Sequence, residues 1–182
     1  MKKSHFNVLL AMGLLLLSQR PALSAGEASA PIRELHCEYL KNPLGIDVRK
    51  PRLSWSLNPA GNVRGQSAYR VLVASSPAIL QKDRGDLWDS GRVASAETTW
   101  VEYAGRPLGS GQQAYWKVRV WTDSGRLLPW SAQANWSMGL LEASDWQAKW
   151  IGERAGTAEG TPLPFPWLRK TFDLKQKPRS AV

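Results

Sequence analysis

The sequence predicts an all-β fold, a two-sheet β-sandwich with Greek-key connections. Between residues 31 and 140, short runs of alternating apolar and polar residues recur, and this pattern is typical of half-buried antiparallel strands. Clusters of Gly, Pro, Asn and Asp separate the runs, and no stretch shows a strong period of 3.6 residues. About seven short strands in about 110 residues indicate two packed sheets.

Three longer runs define which side of each strand faces the core. They are residues 52–57, 68–75 and 114–121. Their inward positions are apolar and lie two residues apart: Leu53, Trp55 and Leu57; Tyr69, Val71 and Val73; and Trp116, Val118 and Val120. Leu72 lies on the reverse of the second run, and Lys117 and Arg119 point outward from the third. A shift of one residue in the third run would bury both charges, so its register is well specified.

Shorter runs and turns complete the predicted sandwich. Further strands are expected at residues 87–88, 99–103 and 134–138, and one helical turn at residues 78–82. Turns are expected at residues 58–62, 89–91 and 123–125, where Gly, Asn or Asp occur. Most of the 10 tryptophans are then expected between the sheets, where each buries on the order of 200 Å².

The N-terminus has the composition of a targeting segment. Residues 1–25 combine Lys2 and Lys3 with an apolar run at residues 8–17 and a small-residue segment that ends at Ala25. The run is too short to cross a bilayer, which needs about 20 residues. It therefore predicts a secretory signal peptide cleaved near Ala25, which implies a periplasmic or extracellular protein with no membrane anchor.

The C-terminal part changes character after the predicted sandwich. Residues 141–166 are interpreted as a connector anchored by Trp146 and Trp150, followed by a linker rich in Gly, Ala and Pro. Residues 167–182 contain one further alternating run. Because a single strand cannot pair its own backbone, this segment is expected to be the truncated start of a second β-domain.

The net charge of the chain does not by itself indicate what the protein binds. Its formal net charge is +9, which would suggest a nucleic-acid binder. Residues 26–168, however, hold 16 basic and 14 acidic residues, a net of +2, because the excess lies in the leader and in the last residues. The distribution therefore argues against nucleic acid as a partner.

Cysteine and histidine are too few for several kinds of site. One cysteine excludes an intramolecular disulfide and a Cys-rich zinc site. Cys37 is interpreted as a half-buried strand residue, and not as a nucleophile. After cleavage only His36 would remain, and it would point away from Cys37 on a strand, so neither a Cys-His pair nor a His-rich metal site is expected. No catalytic, cofactor-binding or metal-binding residue is predicted.

Two groups of residues allow both a functional and a structural interpretation. Residues 83–89 hold three carboxylates, which would suit a Ca²⁺ loop or an acid/base pair, but the spacing is not that of an EF-hand and a solvated, Arg-neutralised loop is favoured. Trp88, Trp100 and Tyr103 are candidate sugar-stacking residues. Packing in the core or at a domain interface is the favoured role for these three rings.

Several stretches resemble the N-terminal region of bacterial α-L-rhamnosidases of glycoside hydrolase family 78. They are LKNPLGID (residues 40–47), PRLSW (51–55), QSAYRVLVA (66–74), LWDSG (87–91), YWKVRV (115–120) and WQAKWIG (146–152). The resemblance covers most of the chain after the leader. It implies a fibronectin type III-like or immunoglobulin-like β-sandwich at residues 31–140, and LRKTF at residues 168–172 resembles the start of the next β-domain.

The resemblance also implies what the whole enzyme would do. Members hydrolyse terminal non-reducing α-L-rhamnose with inversion, which requires an acid and a base roughly 6.5 to 9.5 Å apart. Their catalytic domain is a helical toroid far downstream, and no position here matches its catalytic motif. The chain is therefore expected to be a non-catalytic module with a structural, domain-packing role and to be inactive alone.

The expected partners follow from this interpretation. They are downstream domains of the same polypeptide and, through the whole enzyme, rhamnose-containing glycans or glycosides. No cofactor is expected. The alternative is a stand-alone carbohydrate-binding or adhesion module. The shortness of the chain fits a short protein, a frameshift or a gene-model fragment, and these three stay open.

Overall fold

The computed structural model describes residues 30–59, 63, 65–151 and 168–176. Within these residues seven strands form two antiparallel sheets, with one short α-helix and one 3₁₀ turn. The elements are β1 (Ile32–Cys37), β2 (Arg52–Leu57), β3 (Gln66–Ala74), α1 (Pro77–Gln81), β4 (Trp88–Asp89), β5 (Val101–Glu102), β6 (Gln113–Thr122), β7 (Ala134–Ser137) and the 3₁₀ turn (Ala143–Asp145). The prediction of an all-β sandwich is confirmed.

The two sheets draw their strands from distant parts of the chain. One has the order β1-β2-β5 and the other the order β4-β3-β6-β7. The β3–β6 pair is the longest ladder, with Val71 opposite Val118 and Val73 opposite Trp116. The chain crosses between sheets after β2, β4 and β5, as a Greek-key sandwich requires.

The core lies between the sheets and is rich in aromatic side chains. The predicted inward residues of β6, Trp116, Val118 and Val120, have no exposed surface, which confirms the register of this strand. Trp136 of β7 is equally buried, and its ring lies 5.7 Å from that of Tyr103 in an edge-to-face arrangement. Of the nine tryptophans among the described residues, however, only Trp55, Trp116 and Trp136 are buried in this core and Trp88 packs against it, so the expectation that most of the ten lie between the sheets is wrong.

The first strand is the element that alternation does not reveal. Glu34 has a φ of 52°, and the pairing of β1 with β2 shifts register between Arg33 and His36. Such a bulge breaks the period of two, since the residues on either side of it no longer alternate between faces. Residues 32–37 consequently lack the clean pattern by which the other strands are predicted.

A second, smaller cluster covers part of the outer face of β3. Leu72 and Ala74 point away from the main core and are buried against Leu80 of the short helix. Ser76 caps this helix, since its hydroxyl accepts a hydrogen bond from the Ile79 amide, and Pro77 occupies its first turn. The helical turn predicted at residues 78–82 is present one residue earlier.

The outer face of β6 differs from the expected solvated surface. Lys117 and Arg119 point outward as predicted, but Lys117 is only 8% exposed. Its ammonium lies 4.9 Å from the ring centre of Trp130 and forms an ion pair with Asp83. Aromatic side chains therefore replace water over this part of the sheet.

Parts of the predicted organisation lie beyond these observations. The leader at residues 1–25 and most of the linker, residues 152–166, are outside the described residues. Residues 168–176 are all exposed and form neither helix nor strand. The start of a second β-domain at residues 167–182 stays a prediction, as do the boundaries of the sandwich at residues 31–140 and of the connector at residues 141–166.

Candidate functional surfaces

The three carboxylates of residues 83–89 each bind a different residue in or beside the four-stranded sheet. Asp89 accepts two hydrogen bonds from the guanidinium of Arg70, at 2.8 and 2.5 Å. Asp86 accepts from the amide and the hydroxyl of Ser75 at 2.9 and 2.6 Å, and Asp83 pairs with Lys117. Hydrogen bonds from Arg70 lower the pKa of Asp89, which therefore stays ionised as a partner in the sheet.

This separation of the carboxylates disfavours a cation site or an acid/base pair. Among the described residues there is no group of three or more His, Cys, Asp and Glu side chains that could hold a metal ion. The neutralising cations come from β3 and β6 and not from the loop's own arginine. Residues 83–89 therefore fasten β4 and the segment before it to β3 and β6.

Cys37 has the surroundings of a structural thiol. It lies at the end of β1, is 1% exposed and belongs to the main core. Burial raises the pKa of its thiol to about 12, so the nucleophilic thiolate is disfavoured at neutral pH. Cys37 is thus more deeply buried than the sequence suggested, and its surroundings agree with a packing role.

The three candidate sugar-stacking residues lie in different environments. Tyr103 is 1% exposed, and its hydroxyl donates a 2.7 Å hydrogen bond to the Arg106 carbonyl. Trp88 is half-buried and packs edge-to-face on Tyr103 with ring centres 5.6 Å apart. Trp100 is 63% exposed, and its ring takes no part in the contact between Trp88 and Tyr103. Sugar stacking at these residues stays a prediction, and Trp100 is the most exposed of the three.

Trp100 belongs instead to a patch that periodicity did not indicate. The guanidinium carbon of Arg52 lies 6.0 Å from the ring centre of Trp100 and 5.2 Å from that of Tyr39, which is 61% exposed. We call Tyr39, Arg52 and Trp100 the arginine–aromatic patch. Arg52 is visible in the sequence as an outward residue of β2, but nothing in the alternation links it to Tyr39.

A shallow depression lies beside the first part of β3. It has a volume of about 470 Å³ and is lined by Trp55, Ser56, Leu57, Gly65, Gln66, Ala96, Thr98 and Thr99. None of these lining residues is acidic, basic or a thiol. The depression therefore offers hydroxyl, amide and aromatic contacts, and no group for acid–base chemistry.

The connector after β7 is fastened to the body of the sandwich. The guanidinium of Arg49 hydrogen-bonds and pairs with the carboxylate of Glu142. The Leu141 amide donates to the hydroxyl of Ser110 at 2.9 Å, and the same hydroxyl donates to Asp145. These contacts join residues more than 30 positions apart and hold the 3₁₀ turn against the sandwich.

Beyond this fastening the connector exposes large apolar side chains. Trp146 is 53%, Trp150 91% and Ile151 74% exposed, and the two tryptophan rings lie 6.0 Å apart. Apolar side chains of this size, grouped at the end of a folded unit, are typical of a surface that a further structure covers. No helix in the part of the chain described here is long and apolar enough to span a membrane.

Comparison with known proteins agrees with this architecture. Residues 32–142 match the model of the Rha78A-like, N-terminal immunoglobulin domain. An α-L-rhamnosidase of Streptomyces avermitilis is 42% identical over 156 residues, and one of Formosa agariphila is 41% identical over 143 residues. Each alignment covers 75% of this chain and 15% of the relative, so the chain spans about one seventh of the length of these proteins.

Two solved structures share the fold of this region. The α-L-rhamnosidase of Dictyoglumus thermophilum superposes with a TM-score of 0.65 at 35% identity, over 69% of this chain and 14% of that one. The Streptomyces avermitilis α-L-rhamnosidase complexed with L-rhamnose superposes with a TM-score of 0.64 at 46% identity, over 68% and 12%. The chain therefore belongs to the family of Rha78A-like N-terminal immunoglobulin domains, as the resemblance to the N-terminal region of α-L-rhamnosidases predicted.

Proposed function

We propose that this chain is the non-catalytic N-terminal module of an exported α-L-rhamnosidase-like glycoside hydrolase, in which it positions the domain that follows. The observation that carries the proposal is the fastened connector. Arg49 and Ser110 hold it to the sandwich at Glu142, Leu141 and Asp145. Trp150 and Ile151 then lie exposed a few residues further along.

The hydrogen bonds of the connector and its exposed apolar side chains would both help to orient a neighbouring domain. The hydrogen bonds at Ser110 and Arg49 restrict the direction in which the chain leaves the sandwich. The exposed rings of Trp146 and Trp150 offer area that would be buried when the next domain packs against them, at about 25 cal/mol per Å². Together they favour a fixed orientation between the two domains over a flexible tether.

The chemistry of the described residues supports the absence of a catalytic role. An inverting glycosidase needs one carboxylic acid and one carboxylate facing a shared space. Here Asp83 and Asp89 are bound to cations of the sheet, and the depression near β3 has no acidic lining residue. In this proposal hydrolysis of terminal α-L-rhamnose belongs to the part of the polypeptide outside the region that the relatives share with this chain.

Export is the second part of the proposal. It is supported by the sequence of residues 1–25, with Lys2 and Lys3 ahead of an apolar run and small residues up to Ala25. Expression of the full chain in a bacterial host, followed by N-terminal sequencing of the periplasmic fraction, tests it. A mature protein that begins within a few residues of Gly26 is expected, and retention of residues 1–25 on a cytosolic protein would contradict it.

A chimaera tests the positioning role. Residues 30–151 of this chain would replace the matching region of the Streptomyces avermitilis α-L-rhamnosidase. We expect the chimaera to hydrolyse 4-nitrophenyl α-L-rhamnoside and the full chain alone to show no turnover. Replacing Trp146 and Trp150 by Ser in the chimaera should lower its thermal midpoint by several degrees, because the domain contact loses apolar area.

The control for this experiment is another exposed apolar residue. Leu44 is 64% exposed and lies in the connection between β1 and β2, so Leu44→Ser should leave the midpoint of the chimaera unchanged. Equal midpoints for all variants would contradict the positioning role. Turnover by the full chain alone would contradict the non-catalytic assignment.

A further inference from the structure

We propose that the arginine–aromatic patch, formed by Tyr39, Arg52 and Trp100, is a binding site for a neutral pyranose sugar. The patch lies on the outer face of the three-stranded sheet. Leu53 and Trp55 of β2 are buried in the core, whereas Arg52 and Ser54 alternate with them and face outward. None of its three residues belongs to the connector, which carries the contact proposed for the next domain.

Both aromatic residues of the patch are held in an unfavourable backbone conformation. Tyr39 has a φ of 66° and Trp100 a φ of 60°, and Glu38, which precedes Tyr39, has a φ of 48°. This left-handed region has an energetic cost for a residue other than Gly or Asn, and it persists only where surrounding contacts impose it. For exposed rings that fill no core space, such a cost indicates that their position is itself of use.

Hydrogen bonds hold the two rings in place. The Glu38 amide donates to the Arg52 carbonyl at 2.9 Å, and the amides of Cys37 and Leu40 donate to each other's carbonyl groups. On the other side, the Trp100 amide donates to the hydroxyl of Ser54 at 3.3 Å. The backbone segments that carry the two rings are therefore held on both sides of β2.

The patch combines the two kinds of contact that a sugar ring requires. Tyr39 is 61% and Trp100 63% exposed, and the parts of their rings that Arg52 does not cover can stack on the C–H face of a pyranose. The guanidinium of Arg52 has five N–H donors, of which Nε and Nη2 contact Glu38 at 3.2 and 2.7 Å. The donors on Nη1 are not used in that pair and can hydrogen-bond sugar hydroxyls, since the Arg52 side chain is 42% exposed.

The ion pair decides between a neutral and a charged ligand. Glu38 compensates the charge of Arg52 through both carboxylate oxygens, and its Oε1 also accepts from the Arg52 amide at 2.6 Å. The hydrogen bonds from Arg52 lower the pKa of Glu38, so the pair stays ionised at neutral pH. An anion gains little from a guanidinium already paired in this way.

The same ion pair disfavours an apolar protein surface as the occupant. Covering the patch with apolar side chains would remove water from the Nη1 donors of Arg52 without replacing their hydrogen bonds, which is unfavourable. Sugar hydroxyls replace the water, and the carbon face of the ring covers Tyr39 and Trp100. A paired guanidinium beside two exposed aromatic residues therefore suits a carbohydrate better than a polypeptide.

The depression beside β3 is lined by residues that neighbour the patch in the sequence. Thr99 precedes Trp100 in the chain, and Ser56 lies on the same side of β2 as Ser54 and Arg52; both line the depression together with Thr98. Its volume of about 470 Å³ is within the range of small-molecule sites, about 300 to 1,000 Å³. Hydroxyl groups beside an aromatic patch suit a second sugar unit linked to the first.

An NMR titration of the full chain tests the site. The protein would be labelled with ¹⁵N and titrated with L-rhamnose, D-galactose and D-glucuronate. We expect a neutral sugar to shift the signals of Glu38, Tyr39 and the indole N–H of Trp100. Trp100→Ala should weaken that binding by about tenfold or more, because it removes one of two stacking faces.

The matched control is an exposed tryptophan outside the patch. Trp150→Ala removes a ring that is 91% exposed and should leave the affinity unchanged. Arg52→Lys keeps a positive charge opposite Glu38 but loses the planar donors, and we expect it to weaken binding while the unfolding midpoint changes little. Both Trp variants lack only exposed side chains, so loss of the core does not complicate the comparison.

The outcomes separate this site from the positioning role. L-rhamnose as the first probe rests on the proposed function, whereas the class of neutral pyranoses rests on the patch. Binding of D-galactose alone would support the site and contradict the link to rhamnose. No shift with any sugar, shifts centred on Trp146 and Trp150, or tighter binding of D-glucuronate than of both neutral sugars would overturn the proposal. A comparison of acrylamide quenching between the chimaera and its Trp100→Ala variant that shows Trp100 to be shielded would also overturn it, because a polypeptide would then occupy the patch.

Discussion

The guanidinium of Arg119 lies over the ring of Trp130, with its central carbon 4.5 Å from the ring centre. The same guanidinium is 5.5 Å from the ring of Trp121, which Arg92 approaches from 5.0 Å. Lys117 contacts Trp130 at 4.9 Å and pairs with Asp83. Cations and aromatic rings therefore alternate across the outer face of the four-stranded sheet, where Trp130 touches two of the cations.

The position of Trp130 predicts a large effect on stability. Trp130→Ala would expose the stem of Lys117, remove two cation–aromatic contacts and open the cluster of Leu72 and Leu80, so we expect a loss of about 2 kcal/mol in the free energy of unfolding. Urea unfolding followed by circular dichroism measures it. Trp130→Phe keeps a ring and should lose less than half as much; equal losses for both would contradict the importance of the ring.

The ion pair between Arg70 and Asp89 should make the stability of the fold depend on pH in the acid range. Arg70 holds the pKa of Asp89 below its usual value of 3.8 in the folded chain, so the pair stabilises the fold above the unfolded-state pKa. This contribution is lost as the pH falls from about that value through the lower folded-state pKa. In urea unfolding at a series of pH values, Asp89→Asn should be less stable than the native chain at pH 6 and should approach it towards pH 3. A constant difference would show that the charge of Asp89 is not what stabilises this edge.

Position 105 has no room for a side chain beside Tyr103. A Cβ at this position would lie 2.5 Å from the Leu87 carbonyl oxygen and 2.6 Å from the hydroxyl of Tyr103. Gly105→Ala should therefore displace the hydrogen bond from Tyr103 to Arg106 and cost about 2 kcal/mol or more. Gly109→Ala is the matched control, because its nearest neighbour, Gln112 Oε1, is 4.0 Å away. Similar thermal midpoints for the two variants would contradict the close packing at Gly105.

The thiol of Cys37 should react slowly with thiol reagents while the chain is folded. Its burial and its pKa of about 12 leave almost no accessible thiolate at pH 8. Ellman's reagent should therefore react with the native chain only at the rate of unfolding, and at once in urea. Rapid reaction of the native chain would show that β1 opens locally.

Local periodicity was sufficient for the longest strands and for the core. Trp116, Val118 and Val120 were assigned to the interior because alternation within one strand is a local property, and all three are completely buried. The alternation breaks down at β1, where the bulge near Glu34 interrupts the period. It also gives no sign of what surrounds Lys117, since Trp130 is thirteen positions away in the sequence and reaches it only through the fold.

The candidate surfaces depend still more on distant contacts. Tyr39, Arg52 and Trp100 meet because β1 and β5 pair on opposite sides of β2, with Leu53 opposite both Cys37 and Val101. The fastening of the connector likewise joins Ser110 to Asp145 and Arg49 to Glu142. Neither grouping has a spacing that a sequence pattern could show.

The order of neighbouring residues is enough to predict the all-β class, the inward side of the main strands and the family resemblance, because each of these is a local property of the chain. Which outward residues stay in water, which are covered by aromatic rings and which exposed side chains come together depends on the fold. Folding joins residues that are far apart in the sequence, such as Glu38 and Arg52, which are 14 positions apart, and Arg49 and Glu142, which are 93 positions apart.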